Sequence, residues 1–571
     1  REIAELVYKC VDQGGQLMVE APTGIGKTAA VMYPALKALA GEKHEAMVFV
    51  TSRTVGRRAA EDSLALMVED GLQACSLSLT AKDSICFSPG KACHGDDCPY
   101  ALGYYDRLAQ AMAEAVQQGV LRREQVEAIA RHHQVCPYQL TVDLRPWVDI
   151  LIADAHYVFS LSAGVGSLME QDQRRWTVLL DEAHNLPDRA RSMYSARLTK
   201  AELMKVKKIS SIGVKRSLDR VNRSMLELQK EDWPEQDVRH SLPVSLVNAL
   251  GDFVAAMGEV MASDIRFAPS NPQVMSFYFA VLQWLRVAEQ WGDEYCLELQ
   301  RGEGSQGLSL GLNCLDPSRL LGLSHDRSHA LVAFSATLSP QVWMGQLMGL
   351  SDDAVYRRLP SPFAEDQLEV LLDTGIDTRF RQREESAPLL VNRIEAFLSE
   401  EQGNCILYFP SYHYLRNILD RLRSQTGGLP DRQIWEQRPA QGEVDRNSLF
   451  EALAEHRNVA AFCILGGAFS EGVDLPGDLL SSVVIVGVGL PQLGPEREQL
   501  RQWYQQAYGL GFEYAYLYPA MQKVDQALGR VVRSDSDRGR ALLIDSRYGW
   551  PQYRNLLPPW WSYREEQSSP G

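Results

Sequence analysis

Gln16-Leu17-Met18-Val19-Glu20 is followed by Ala21-Pro22-Thr23-Gly24-Ile25-Gly26-Lys27-Thr28 and then by an Ala- and Leu-rich run from Ala29 to Leu39. The stretch reads as buried strand, glycine loop and helix in immediate succession. Gly24 and Gly26 let the backbone wrap closely, so that its N–H groups and the helix N-terminus face a common point suited to phosphate oxygens. Lys27 would reach the outer phosphates of a nucleoside triphosphate, and Thr28 would set its hydroxyl on Mg²⁺. The strict phosphate-loop pattern has glycine where this chain has Ala21, and a plain glycine-rich turn with an exposed lysine is the competing reading. Pro34 removes a backbone donor inside the helix and predicts a kink there.

Around this unit, short apolar runs alternate with helical patterns, as in parallel α/β sheets. Strands are expected at Gln16–Glu20, Ala46–Thr51, Asp149–Ala153, Thr177–Leu180, Ala330–Phe334, Cys405–Phe409, Val459–Leu465 and Val483–Val488. The rhythm breaks twice. Residues 81–140 carry clustered cysteines and a helical run, Tyr104–His133, and Leu198–Leu299 reads as long helices with few strand signals. With 571 residues the chain is too long for one core and should hold two to four domains. Its 58 Lys+Arg against 73 Asp+Glu give a net charge of −15, which argues against a general polyanion binder and restricts any nucleic-acid surface to a local groove. The longest apolar run, Leu479–Leu490, is too short to span a bilayer, and no signal-peptide pattern opens the chain, so a cytoplasmic location without membrane attachment is expected. The first residue is Arg1, which reads as a piece trimmed from something longer.

A second acidic element follows the apolar run Thr177–Leu180. Asp181-Glu182-Ala183-His184 puts two carboxylates at the C-terminal end of a strand, the edge at which open α/β sheets bind ligands. Asp181 would hold Mg²⁺, and Glu182 would orient or deprotonate the attacking water. Read alone, the same four residues could begin a surface helix capped by Asp181. With the phosphate loop upstream, catalysis is the better account.

The spacing carries further information. About 150 residues separate Lys27 from Asp181, and about 150 more separate His184 from Ser335, more than one ATPase domain can use. Material is therefore inserted on each side of Asp181, where the strand–helix rhythm breaks. Cys86, Cys93, Cys98 and Cys136 fall in the first insertion, with six, four and thirty-seven residues between them. Four clustered cysteines in a chain with no secretory signal suggest metal more than disulfides, and a tetrathiolate suits zinc or an iron–sulfur cluster. The other six cysteines are scattered, mostly in apolar or helical surroundings, as small core residues are.

The phosphate loop, Asp181-Glu-Ala-His184, Ser335-Ala-Thr337 and Gln526-Ala-Leu-Gly-Arg530-Val-Val-Arg533 occur in the order seen in superfamily 2 helicases, which the chain resembles. Cys136-Pro-Tyr-Gln-Leu140, Val148–Phe159, Ser361-Pro-Phe363 and Phe469-Ser-Glu-Gly-Val-Asp474 narrow the resemblance to the XPD/DinG-type iron–sulfur helicases, and it covers essentially the whole chain. It implies two RecA-like motor domains, with an iron–sulfur domain and a helical Arch inserted in the first. The expected boundaries are 1–80, 141–198 and 305–359 for the first motor domain, 81–140 for the cluster domain, 199–304 for the Arch and 360–571 for the second motor domain. It also implies that the four cysteines hold a [4Fe–4S] cluster and that ATP and Mg²⁺ bind between the motor domains. Thr23, Gly24, Gly26, Lys27, Thr28, Asp181, His184, Asp474 and Gln526 would contact the nucleotide or its metal. Ser335 and Thr337 would couple the ATP site to DNA. Arg530 and Arg533 look like arginine fingers, and a guanidinium fork is the natural stabiliser of charge on a transferring phosphoryl group. The family's glutamine motif, expected just before the first helix, is missing.

Ser52-Arg53-Thr54 after one strand, and Ser411-Tyr412 with Glu471 in the second motor domain, resemble the elements that grip the phosphates of single-stranded DNA. Lys200–Arg223 holds eight basic and two acidic residues, which suits a phosphate-tracking face or an ordinary solvated one. Tyr100, Tyr104, Tyr105 and Tyr138 could stack bases or fill a core. The expectation is a monomeric ATP-dependent helicase moving 5′→3′ on single-stranded DNA and opening duplex junctions, in repair or replication. A translocase that remodels without unwinding, and an ATP-switched nucleic-acid clamp, are the rivals.

Overall fold

The computed structural model describes residues 1–571 except 23, 52–53, 162–168, 170–173, 210–211, 265, 303–306, 426–428, 430, 440–441, 468–478 and 567–571. The chain forms two compact units. One comprises Arg1–Leu17, Thr28–Ala333 and Gly345–Val355, and the other Met18–Lys27, Phe334–Met344 and Tyr356–Gly571.

All eight expected strands are present, with ends within two residues of the expected ones. An eight-stranded sheet runs in the order Val355–Arg358, Gly15–Glu20, Ala330–Ser335, Trp176–Asp181, Ala46–Val50, Ile150–Ala153, Ser76–Ser78 and Val120–Leu121. Its inner strands are buried on both faces, which is why Ala-Met-Val-Phe-Val and Ile-Leu-Ile-Ala are unbroken apolar runs. Val50 pairs in parallel with Ala153 on one side and with Leu180 on the other, so Thr51, Asp154 and Asp181 leave the sheet at the same edge.

A seven-stranded, all-parallel sheet organises the second unit, in the order Gln433–Glu436, Val459–Ile464, Cys405–Phe409, Ser482–Val486, Gly539–Ile544, Leu368–Asp373 and Ser562–Glu566. The period of two decides what each face touches. Ile406, Tyr408, Val483 and Ile485 enter one buried cluster, and Cys405, Leu407, Phe409, Val484 and Val486 enter the opposite one. Each large aliphatic side chain removed from water in this way contributes about 1.5–3 kcal/mol.

The structure departs from expectation in the stretches that break the rhythm. Within 198–299, helices Lys200–Ile209, Ile212–Lys230, Val244–Ser263 and Pro272–Glu289 accompany an antiparallel sheet in the order Ala196–Thr199, Leu308–Cys314, Tyr295–Arg301 and Gln236–Arg239. Strands such as Gln-Asp-Val-Arg are polar and gain their identity from pairing rather than from an apolar pattern. The helical run Tyr104–His133 divides into Tyr104–Gln118 and Arg123–His132, because Gly119 takes a positive φ of 77° that ends the first helix. Helix Lys27–Ala40 continues through Pro34. Val244–Ser263 is long and apolar enough to cross a membrane by length and composition; Leu246, Leu250, Phe253 and Met257 are buried, and the helix packs on Ile212–Lys230 and Pro272–Glu289.

Candidate active site

In the second unit, the loop after Glu20 is held at both ends. Ala21 N–H donates to the Ser335 carbonyl at 2.8 Å, and Leu359 N–H donates to the Glu20 carbonyl at 2.9 Å. The Glu20 carboxylate is buried, pairs with Arg358 at 3.1 Å and accepts a hydrogen bond from Ser339. Burial pushes its pKa up, against the pull of Arg358. Gly24 and Gly26 have φ of 83° and 68°, conformations that side chains resist. A Cβ on Gly24 would lie 2.6 Å from both the Arg533 carbonyl oxygen and the Phe363 ring, whereas beside Gly26 there is open space. The first glycine therefore serves close packing, and the second leaves room where a phosphate would sit. Lys27 Nζ donates to the Pro22 carbonyl at 3.3 Å across the loop. Thr23 lies outside the described residues.

The helix Tyr518–Leu528 brings Gln522 and Gln526 to Thr337, and the turn after it brings the Arg533 backbone to this loop. Gln522 donates to the Thr337 carbonyl at 2.9 Å, and Gln526 to the Thr337 hydroxyl at 3.4 Å. Arg530 and Arg533 both lie near the buried phenol of Tyr408, and burial lowers the pKa of the Arg533 guanidinium. The turn is pinned by Asp537, which accepts from Arg533 N–H at 2.8 Å and Ser534 N–H at 2.9 Å. Gln367 Nε2 reaches the carbonyls of Ser534, Asp535 and Asp537 at 2.9–3.2 Å. Gln367, Gln522, Glu20 and Arg358 were not singled out in the sequence. The only signal for Gln367 was its place four residues after Phe363, which has no periodic pattern to mark it.

In the first unit, Asp181 ends its strand and Glu182 takes φ 50°, a left-handed conformation that costs a non-glycine residue about 1–2 kcal/mol. The helix-start reading of Asp181-Glu182 therefore fails: the strand runs to Asp181, and a short 3-10 turn, Ala183–Asn185, follows. Glu182 N–H donates to Asp181 Oδ1 at 2.9 Å, and His184 Nδ1 lies 3.3 Å from Glu182 Oε2. A Cβ on Gly56 would come within 3.0 Å of Asp181 Oδ2 and would collide with the Thr51 hydroxyl, so that glycine lets the helix Thr54–Glu69 approach the carboxylate.

Ser52, Arg53, Glu471 and Asp474 lie outside the described residues, as does the Thr54 side chain. Ser411 accepts from Tyr414 N–H at 3.3 Å as the cap of helix Tyr412–Gln425, and the Tyr412 hydroxyl accepts from Gln437 at 3.0 Å. Part of the Lys200–Arg223 charge is used internally. Lys200 is buried and bonds Gln229 at 2.6 Å, Lys207 pairs with Asp219 at 2.5 Å, and Arg220 pairs with Asp252.

The four cysteines come from the end of helix Lys82–Ile85 (Cys86), the loop after it (Cys93, Cys98) and the start of helix Pro137–Leu144 (Cys136). Ser88 N–H donates to Cys86 Sγ at 3.4 Å. Burial pushes the Cys136 thiol pKa up, and the Tyr138 and Gln139 N–H groups that donate to it offset part of that rise. Lys82 is hydrogen-bonded to Cys93, which holds its ammonium pKa above the ordinary value, and Cys86 is close by. Four thiols with amide and ammonium donors beside them to offset burial are a donor set that fits an iron–sulfur group. Tyr104 is core, with its hydroxyl on Asp143 at 2.7 Å, whereas Tyr105 is exposed.

Three family models match the chain: DEAD/DEAH box helicase over residues 1–87, DEAD_2 over 72–203 and Helicase C-terminal domain over 394–564. The ATP-dependent DNA helicase CHL1 of Candida glabrata is 23% identical over 500 residues, which are 76% of this chain and 58% of that protein. The chain thus spans less than two thirds of that relative's length. The ATP-dependent DNA helicase DinG of Photobacterium profundum is 31% identical over 200 residues, 34% of this chain and 28% of that one. Among solved structures, an XPD helicase superposes with a TM-score of 0.64 at 17% identity, covering 99% of this chain and 98% of its own, so the fold with two RecA-like domains is shared.

Proposed function

We propose that the chain is a superfamily 2 helicase of the XPD/DinG family, an ATP-dependent DNA helicase that moves 5′→3′ along single-stranded DNA and opens duplexes. The observation that carries this reading is the packing of Gly24 against the Arg533 carbonyl and Phe363, with Gln522 and Gln526 hydrogen-bonded to Thr337. A phosphate loop that touches the arginine-bearing turn, beside a Thr337 segment held by the glutamine-bearing helix, can report the state of its nucleotide to that turn.

Lys27 and the loop N–H groups would bind the phosphates, and Arg530 and Arg533 would neutralise charge as the terminal phosphoryl group leaves. Burial around Arg533 strengthens such an interaction relative to an exposed arginine. Thr28 and Asp181 would hold Mg²⁺, which supplies charge to the phosphate oxygens. Glu182, turned by its left-handed backbone and oriented by His184, would position the attacking water. Cys86, Cys93, Cys98 and Cys136 would hold a [4Fe–4S] cluster, and in doing so would tie together the segments that carry them. Residues 81–140 would be the wedge domain and 199–304 the Arch. Ser52, Arg53, Thr54, Ser411, Tyr412 and Glu471 would follow the DNA backbone.

Lys27→Ala is expected to abolish DNA-stimulated ATP hydrolysis. Steady-state turnover with and without single-stranded DNA tests this, and wild-type turnover in the variant would overturn the assignment.

A further inference from the structure

The helices Tyr104–Gln118 and Arg123–His132 bring together three side chains that the ATPase does not use. His132 Nδ1 lies 2.9 Å and His133 Nε2 2.7 Å from the same oxygen of Glu114, and one ligand atom from each residue lies within 4.8 Å of the other two. Consecutive residues on a helix point about 100° apart. These two imidazoles converge because the helix ends at His132: His133 is its cap at φ −90° and ψ 0°, and Gln134 reverses the chain at φ 53°. Arg107 then holds the Gln134 carbonyl at 2.7 Å.

Neighbouring carboxylates are committed elsewhere. Glu127 pairs with Arg123 at 2.7 Å and Arg131 at 3.2 Å, and Asp143 accepts from Tyr104 and Gln139. Glu114 instead takes both imidazoles on one oxygen. Two imidazole nitrogens and a carboxylate oxygen are the donor set that binds Zn²⁺ and similar cations of intermediate softness. Bonds of about 2.0–2.2 Å in a tetrahedral array place ligand atoms roughly 3.3 Å apart, so the two nitrogen–oxygen spacings need to open by only about 0.5 Å, and the two imidazole nitrogens already lie within 4.8 Å of each other. His133 is mostly buried and fixes the site, while the His132 and Glu114 side chains are 70% and 41% exposed and leave a side open to water ligands.

We propose that Glu114, His132 and His133 form a binding site for a divalent transition cation, separate from the four cysteines. His133 stands three residues before Cys136, so an ion here would staple the helix Tyr104–Gln118 to the turn that delivers that thiol. The proposal does not depend on the helicase reading.

The test uses the tag-free full chain, with its iron retained, treated with chelator, desalted and titrated with Co²⁺ under anaerobic conditions. Difference spectra should show ligand-field bands of nitrogen- and oxygen-bound Co²⁺ without a sulfur-to-cobalt charge-transfer band, saturating near one equivalent and displaced by Zn²⁺. His132→Ala, at an exposed position, and Glu114→Gln should each weaken binding ~10-fold or more. Zn²⁺ should raise the melting temperature of the unsubstituted chain and not of the variants. Absence of these bands, a thiolate charge-transfer band, or binding by both variants as tight as that of the unsubstituted chain would overturn the proposal.

Discussion

Gly24 shows how much one missing Cβ decides. Its φ of 83° and the 2.6 Å approach to the Arg533 carbonyl and Phe363 ring leave no room for a side chain. Backbone strain of about 1–3 kcal/mol plus the displacement of these neighbours predicts that Gly24→Ala lowers ATP turnover by at least ~10-fold. Gly26→Ala, with open space beside it, should fail through nucleotide affinity instead. Comparing kcat and KM for ATP in the two variants checks the distinction. At Glu182 the left-handed backbone aims a carboxylate already linked to His184, so Glu182→Gln should keep ATP binding and lose hydrolysis by ~100-fold or more. Nucleotide-binding titrations beside turnover would show this, and equal loss of both would contradict it.

Whole elements were legible in the sequence where burial on both faces makes a strand an unbroken apolar run, as at Cys405–Phe409 and Ala46–Val50. The patterns proposed for the site, the phosphate loop, Asp181-Glu182 and Gln526 with the arginines, stand out in the sequence because the chemistry proposed for them would demand fixed residue types at short spacing. Gln236–Arg239 and Gln367 were not, because pairing and loop carbonyls, rather than any periodic pattern, define them. The helix Ser318–His325 carries a further consequence. His325 is buried, edge-on to Phe159, and its Nε2 is 2.8 Å from the Met348 carbonyl. Burial lowers its pKa from 6.5 to about 4. Below its unfolded value the unfolded chain takes up a proton that the folded imidazole refuses, so this contribution is complete above about pH 6.5 and is lost as pH falls through about 4. It amounts to on the order of 3 kcal/mol. His325→Gln should therefore show a shallower fall in melting temperature between about pH 6.5 and 4. An unchanged slope would assign the acid sensitivity to other groups.

At the scale of the molecule, an acidic chain with a net charge of −15 must handle a polyanion through local surfaces. Three of the eight basic residues of Lys200–Arg223 are spent on Asp219, Asp252 and Gln229, so neutralising the exposed Lys215 and Arg216 should weaken DNA binding by no more than a few-fold. Cys93→Ser should bleach the visible colour of the purified protein and lower its iron content, while leaving nucleotide binding to the phosphate loop in place. The central claim is that ATP turnover drives directional opening of duplex DNA. Strand displacement from 5′-tailed and 3′-tailed duplexes, with the unsubstituted chain and Lys27→Ala side by side, tests it most directly. The account predicts ATP-dependent opening of the 5′-tailed duplex, little of the 3′-tailed one and none with Lys27→Ala. Robust ATP hydrolysis on single-stranded DNA without opening of either duplex would contradict it.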